Sequence, residues 1–397
     1  MGAGGEDLGR EAGPVTHLEF LSGGAAHGLV GALAAEAGVE IGGHFGAVGA
    51  MRERFLAGEA CDIVILTHAQ VMALCAEERA EPRMCADLGS VATSIAVRAR
   101  DALPEVRDAE GLRRALLAAD AIYFPDPAKA TAGIHFAKVL EQLGIAGAVK
   151  ERLRAFPNGS TAMARMAQAS GRPIGCTQAT EILATTGVKL VGPLPRGLDL
   201  ATVYTAAVSR AARDPVAAEK FFERLADDAM ALSRAKAGFE GVRLRPAVNR
   251  DAAGVIAVVQ AGMQELGIAR TPQQTARDLG DLEATFVASG GTFDVAVAPD
   301  GSIVGCAGIE VIDASTCRLR AMYVAASHRR QGIARRLLER MTAFARSRRF
   351  ERIELETSSA MRAASALYAA AGFGRVAQPP HTGGCDQVFA RDLRGAT

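Results

Sequence analysis

Between Thr16 and about Ser209, short apolar runs of strand type alternate with helical stretches, and that alternation limits the fold more than any other feature of this chain. Thr16–Ser22 alternates apolar and polar residues, then meets Gly23-Gly24 and a helical stretch to Ala37. Val39–Phe45 is strand-like and Ala47–Ala57 helical, while Cys61–Thr67 (CDIVILT) is an apolar run of the buried-strand type. Further strands are expected at Val91–Val97, Ala121–Phe124, Pro173–Thr177, Lys189–Val191 and Thr202–Ser209, with helices between them, notably Thr131–Leu143 and Ser160–Ala169. Such alternation predicts α/β architecture with mainly parallel pairing. Helices at about Pro215–Leu225 and Asp227–Lys236 close the region, and the Gly-Phe-Glu-Gly step at Gly238–Gly241 leads into a new strand, Val242–Ala247.

A strand–turn–helix signature stands out nearer the end. Met322-Tyr323-Val324 reads as the end of a strand, Arg329-Arg330-Gln331-Gly332-Ile333-Ala334 as a basic turn, and the following residues as an apolar-faced helix. Consecutive backbone N–H groups at such a helix start, in its partial positive field, favour a phosphate. The small residues Gly332 and Ala334 let a pyrophosphate come close to the backbone. Phe350–Thr357 reads as the next strand.

At 397 residues the chain is long enough for two or three domains. It is 49% apolar and 22% charged, a globular balance, and its net charge of +1 provides no global field toward nucleic acid or a membrane surface. No apolar run approaches the length of a membrane span. The Gly-rich start, Met1–Pro14, carries three acidic residues, lacks the basic and apolar parts of a secretion signal, and is expected to be a disordered tail. Seven scattered cysteines without a C-x-x-C pair read as free thiols in a reducing cytoplasm, and the seven histidines show no metal-ligand spacing, so no metal is expected.

Two resemblances sharpen these expectations. The turn at Arg329–Ala334 is similar to the pyrophosphate loop R/Q-x-x-G-x-G/A of GNAT acetyltransferases, and Ala364-x-x-Leu367-Tyr368-x-x-x-Gly372-Phe373 to their N-x-x-A-x-x-L-Y-x-x-x-G-F signature, with Met361 in place of the usual Asn. The block from about Val242 to Arg394 resembles one GNAT domain, assigned here to 242–397. The resemblance implies acetyl-CoA as cofactor, with Met322, Tyr323 and Val324 pairing with its pantetheine arm by backbone groups. It implies Arg329, Arg330, Gln331, Gly332, Ile333, Ala334 and Arg335 around the pyrophosphate, and Tyr368 as general acid toward the leaving sulfur. Relatives often carry a glutamate as base where this chain has Arg318; Glu310, Glu354 and Glu356 remain candidates, a water relay would serve as well, and Arg318 and Arg320 are suited to an acidic substrate. The acceptor, a small-molecule or protein amine, has no signature.

Leu21–Ala25, Phe45–Ala50, Glu59–Leu66 and Gly133–Leu140 together resemble the molybdate-binding group of periplasmic solute-binding proteins, over residues 15–237. That resemblance implies two α/β lobes joined by hinge strands, with a second lobe at about 95–203, crossings near Gly89–Ala96 and Tyr204–Ser209, and ligand in the cleft. Ser22, Gly23, Ala47, Val48, Thr131 and Ser160 lie at strand-to-helix turns whose N–H groups and hydroxyls can hold a small oxyanion or organic anion, and Tyr204 matches the position of a hinge phenol. Thr131 and Ser160 are equally suited to be plain N-caps. Val48 stands where molybdate binders usually have a second serine, so a small organic anion such as a carboxylate fits at least as well as molybdate.

The chain therefore reads as a cytoplasmic fusion of a solute-binding sensor, a 238–241 linker and an N-acetyltransferase. Its competitors are a component of anion transport and a catalytically silent acyl-CoA and anion sensor. A homodimer is left open.

Overall fold

The computed structural model describes residues 16–268, 271–381 and 384–394; the tail expected over 1–14 lies outside them. Two sheets organise the chain. The first is nine-stranded: β1 (Thr16–Gly23), β2 (Val39–Gly46), β3 (Ile63–Thr67), β4 (Ala80–Arg98), β5 (Ala121–Pro125), β6 (Leu153–Phe156), β7 (Pro173–Gln178), β8 (Val188–Pro193) and β9 (Ala201–Ser209). Its order is β2-β1-β3-β9-β4-β7-β5-β6, with β8 also on β4. In β3, Ile63, Val64, Ile65 and Leu66 are wholly buried, as a strand covered on both faces requires. Helix starts follow local chemistry: Asp214 caps the Pro215–Ala226 helix with Pro at its first turn, and Asn158 caps Gly159–Ala167 by accepting from Thr161 N–H.

The expected parallel pairing holds for β1 with β2 and β3, and for β5 with β6 and β7. The strands that carry the chain between the lobes, β4 and β9, run antiparallel to their neighbours. β4 pairs with β9 as far as Ala92 and with β7 from Thr93, so one strand belongs to both lobes. The strand expected at Val91–Val97 is thus the end of a 19-residue strand. Pro82 and Gly89 punctuate its first part like a loop, but register breaks at Ala80/Cys85 and Asp87/Gly89 absorb them.

The second sheet holds β10 (Arg243–Pro246), β11 (Thr292–Val297), β12 (Ile303–Val311), β13 (Thr316–Val324), β14 (Arg352–Thr357), β15 (Gly374–Val376) and β16 (Gln387–Asp392), in the order β10-β11-β12-β13-β14-β16-β15. Only β13 and β14 pair in parallel, across the Ile333–Ser347 helix.

The two halves share a buried junction. Ala343, on the Ile333–Ser347 helix, belongs to the core built on the first sheet. Residues 238–241 are tied down rather than loose: Ser90 and Glu240 exchange backbone hydrogen bonds of 2.8 Å. Asp87 of β4, with no exposed surface, accepts from Thr205 Oγ1 at 2.6 Å, Arg336 Nη1 at 2.8 Å and Leu244 N–H at 3.1 Å, and faces His68 Nδ1 at 3.2 Å. Arg340, also buried, donates to Asp294 at 2.6 Å and to the Cys85 carbonyl at 2.8 Å.

Candidate functional site

In the second sheet, β13 runs beside β14 from Thr316↔Arg352 to Leu319↔Leu355 and then leaves it. The departure follows from a bulge on the other edge: the register with β12 breaks between Cys306 and Gly308, opposite Ala321, whose φ is +51°. The Ala321 carbonyl accepts from Cys306 Sγ at 3.0 Å. Tyr323 and Val324 therefore keep β12 as partner, with Met322 in the bulge, and Met322–Val324 lack a strand on the β14 side among the described residues.

The basic turn after β13 ends at Gly332, the N-cap of the 15-residue Ile333–Ser347 helix, with φ of +76° and no side-chain cap. A Cβ placed there would meet nothing within 4 Å, so glycine is required by its backbone angle and leaves open space above the first-turn N–H groups. Ile333 is 2% exposed and offers only its backbone. Arg329 is committed within the protein, to the Val324 carbonyl and to Glu265, whereas Arg330, Gln331 and Arg335 are exposed. These features fit an acyl-CoA: an uncapped helix start for the pyrophosphate, and a strand end with no β14 pairing among the described residues for the amide-bearing arm.

A cavity of about 110 Å³ lies where the strands part, and Met322, Tyr323, Glu356, Tyr368 and Cys385 are on its wall. Tyr368 is 5% exposed and packs near Phe373 and Phe389, so it is a core aromatic and a wall residue together. Burial pushes its phenol well above the ordinary value, with Tyr323 and Cys385 adding to the rise. Of the three candidate acids, Glu310 pairs with Arg320 at 3.1 Å and Glu354 with Arg352 at 2.8 Å. Glu356 alone reaches this cavity, and it holds His381 by the backbone N–H at 2.9 Å and by Nδ1 at 3.0 Å. Arg318 also lines the wall, its buried Nε without a hydrogen-bond partner among the described residues.

The cleft of the first half is nearly closed, at about 20 Å³. Ala47, Val48, Thr131 and Tyr204 line it. Gly23 lies beneath two of them: a Cβ there would stand 2.9 Å from both the Tyr204 ring and Val48. Ser22 is fully buried and donates its hydroxyl to the Gly23 carbonyl at 2.9 Å, so the lining runs through Gly24 and Ala25 instead. Neither expected hydroxyl is a cap: Ala130 precedes the Thr131–Gln142 helix, and Asn158 takes the cap ahead of Ser160. Lys129 and Glu53 clasp the lobes across the mouth at 3.0 Å.

Sequence reasoning missed the residue that fills this cleft. The Glu181 carboxylate accepts from Thr177 Oγ1 at 2.5 Å and from the backbone of Ser160, Gln178 and Gly159. It also comes so close to Gly24 that a Cβ there would lie 2.6 Å from Oε1. A protein carboxylate thus sits on the helix start where an external anion was expected. Burial raises its pKa in spite of those hydrogen bonds. Among the described residues no Lys, Arg or His lines the cleft. The available signal was the spacing of Glu181 three residues after Gln178, the capping-box spacing at the start of Ala179–Leu183.

Comparison with known proteins divides the chain in the same way. A family model described as bacterial extracellular solute-binding protein matches residues 24–240, and one described as the acetyltransferase (GNAT) family matches residues 263–373. N-acetyltransferase 8 of Homo sapiens is 29% identical over 106 residues, 25% of this chain and 47% of that protein, so the chain spans about half of the human relative's length. Aconitate isomerase of a Pseudomonas species is 25% identical over 201 residues, 50% of this chain and 74% of that protein. The periplasmic molybdate-binding protein of Azotobacter vinelandii is 17% identical, with a TM-score of 0.46, over 56% of this chain and 98% of its own.

Proposed function

The chain belongs to the bacterial extracellular solute-binding protein family and carries a GNAT acetyltransferase domain behind it, and from that premise we propose an acetyl-CoA-dependent N-acetyltransferase governed by the ligand state of its solute-binding cleft. The observation that carries the reading is the parting of β13 from β14 beside the uncapped N-terminus at Gly332, with Tyr368 and Glu356 on the wall between.

Acetyl-CoA is the cofactor of the GNAT family and supplies the acetyl group as a thioester. In this reading Met322–Val324 hold the pantetheine arm, and one of their N–H groups polarises the thioester carbonyl. The N–H groups of Gly332, Ile333 and Ala334 hold the pyrophosphate, with Arg330, Gln331 and Arg335 at its edge and Arg329 bracing the turn through Glu265. Tyr368 keeps its proton at neutral pH and delivers it to the leaving sulfur. Glu356, oriented by His381, takes the proton that the acceptor's ammonium must lose before nitrogen attacks. Arg318, with its unpartnered Nε, suits an acceptor amine that also carries an acidic group. A wall holding both an acid and a base favours an enzyme over a silent sensor.

For the cleft we favour a small organic carboxylate. Val48 withholds the second hydroxyl of a molybdate site, burial raises the pKa of the Glu181 carboxyl beside it, and the Pseudomonas relative bears the name of an enzyme acting on a tricarboxylate. A protonated Glu181 can share its proton with a ligand carboxylate, with Tyr204 and Thr131 beside it. Six of the seven cysteines are buried free thiols, in keeping with a reducing cytoplasm.

The test is thiol release from acetyl-CoA by the full chain, across a panel of amines with and without acidic groups, in the presence and absence of trans-aconitate. Acidic amines should be acetylated and trans-aconitate should change the rate. Bound acetyl-CoA without turnover for any amine would leave the silent sensor; identical kinetics with and without trans-aconitate would make the halves independent.

A further inference from the structure

A cavity of about 740 Å³ belongs neither to the cleft nor to the parting strands. It lies at the junction, with the His68–Ala76 helix of the first half on one side and the Ile333–Ser347 helix, the end of the Arg362–Ala370 helix and β16 on the other. Arg346 and Arg391 both line it. Burial, and then the charge of Arg346 on the same wall, lower the pKa of Arg391. The buried Nε of Arg346 has no hydrogen-bond partner among the described residues. The acid on this wall, Glu339, stands 3.4 Å from His68 Nε2. Arg335, exposed at the helix start, gives the cavity a third cation.

Two like charges held together in a half-buried wall repel one another, and an arginine Nε without a partner forfeits a strong donor. Each cost is removed by an anion placed between the forks, since guanidinium groups hold carboxylate and phosphate oxygens two at a time. We propose that this interdomain groove is a binding site for a small multivalent oxyanion, carboxylate or phosphoryl, held by Arg346 and Arg391 and touching both halves of the protein. Its first wall is the helix that begins at His68, so its occupant bears directly on the junction that joins cleft and acetyltransferase. The site lies along the middle and end of the Ile333–Ser347 helix and the cofactor loop at its start; of the residues named for the pyrophosphate, Arg335 alone borders both, and Arg346 and Arg391 stand clear of the loop.

The test is calorimetry on the full chain saturated with coenzyme A, with citrate and inorganic pyrophosphate as separate probes. At least one should bind, and Arg346→Ala and Arg391→Ala should each weaken it by about ten- to a hundredfold, the loss of a charged hydrogen bond. Citrate alone would identify a carboxylate ligand and pyrophosphate alone a phosphoryl ligand. Without probe, either variant should melt at or above the temperature of the parent, because a repulsion has been removed; this also controls for folding. No binding of either probe, or equal affinity in the folded double variant, would overturn the site. Binding that appears only without coenzyme A would assign the probe to the cofactor loop and overturn it equally.

Discussion

Asp87 and Arg336 are 249 positions apart in the chain and meet at 2.8 Å, carboxylate to guanidinium, beneath the surface where the halves join. Asp87 stands on β4, the strand shared by both lobes, and its other oxygen holds Thr205 of β9. Arg336 stands one turn beyond the helix start at Gly332. Any shift of β4 against β9 on opening the cleft must therefore carry Asp87 along or break its bonds, and either event is felt at the cofactor loop. That gives the proposed regulation a physical route through one buried charge.

Asp87→Asn keeps the shape and removes the charge, leaving Arg336, Arg340 and His68 without their shared anion. Stability should fall by about 3–5 kcal/mol, the usual cost of breaking a buried pair, measured by urea denaturation. Coupling is reciprocal, so in the parent trans-aconitate and acetyl-CoA should alter each other's affinity by the same factor, about five- to 150-fold. The milder Arg336→Met should reduce that factor toward one; an undiminished factor would rule out this route.

The junction should also weaken in alkali. Burial disfavours the charged form of His68, but Asp87, its hydrogen bond and Glu339 outweigh that and Arg340's repulsion, raising its pKa from 6.5 to about 9. A raised histidine pKa adds stability that is complete below the unfolded value and fades as pH rises through the folded one. The melting temperature should therefore drop between pH of about 6.5 and about 9 by more in the parent than in His68→Gln. Parallel curves for the two proteins would show that the imidazolium contributes nothing.

Tyr368→Phe retains the ring and removes the proton. Turnover should decrease by roughly ten- to a thousandfold with little change in acetyl-CoA affinity. Glu356→Gln should lower turnover too, and more at low pH for the most basic amines, whose ammonium groups most need a base. Rates equal to the parent in both variants would reduce these side chains to packing.

Gly332→Glu should abolish acetyl-CoA binding, because it sets a carboxylate above the first-turn N–H groups. Gly332 is in the left-handed region at φ +76°, so Gly332→Asn, which tolerates that angle, separates strain from charge and should retain more affinity. Parental affinity in Gly332→Glu by calorimetry would remove the phosphate from this turn.

Glu181 makes the cleft sensitive to protons. Its raised carboxyl pKa favours a shared proton with a ligand carboxylate, so affinity for trans-aconitate should increase as pH falls. The other polar groups on the cleft wall, Tyr204, Thr131, Asn158 and Gln178, do not titrate near neutral pH. Glu181→Gln should bind with a flat pH profile. An unchanged slope would place the proton elsewhere.

The sequence alone was enough for the α/β class, both family resemblances and the turn at Arg329–Ala334, because each depends on neighbours in the chain: apolar runs, a glycine at a helix start, a fixed spacing to Tyr368. It also offered three acids, beside a water relay, as the base and recognised the missing serine at Val48. Tertiary structure decided what distant residues do to one another. Glu356 became the acid at the cavity because its rivals are held by Arg320 and Arg352, and because His381 arrives from another segment. Glu181 reads as an ordinary helix-start glutamate until folding brings Gly159 and Gly24 against its carboxylate. Nothing in the sequence singles out Asp87, and only the long β4 carries it into the junction. Hydrogen bonds and charge pairs act over a few ångströms, so their partners are chosen by the fold's long-range contacts, which no local pattern in the chain records.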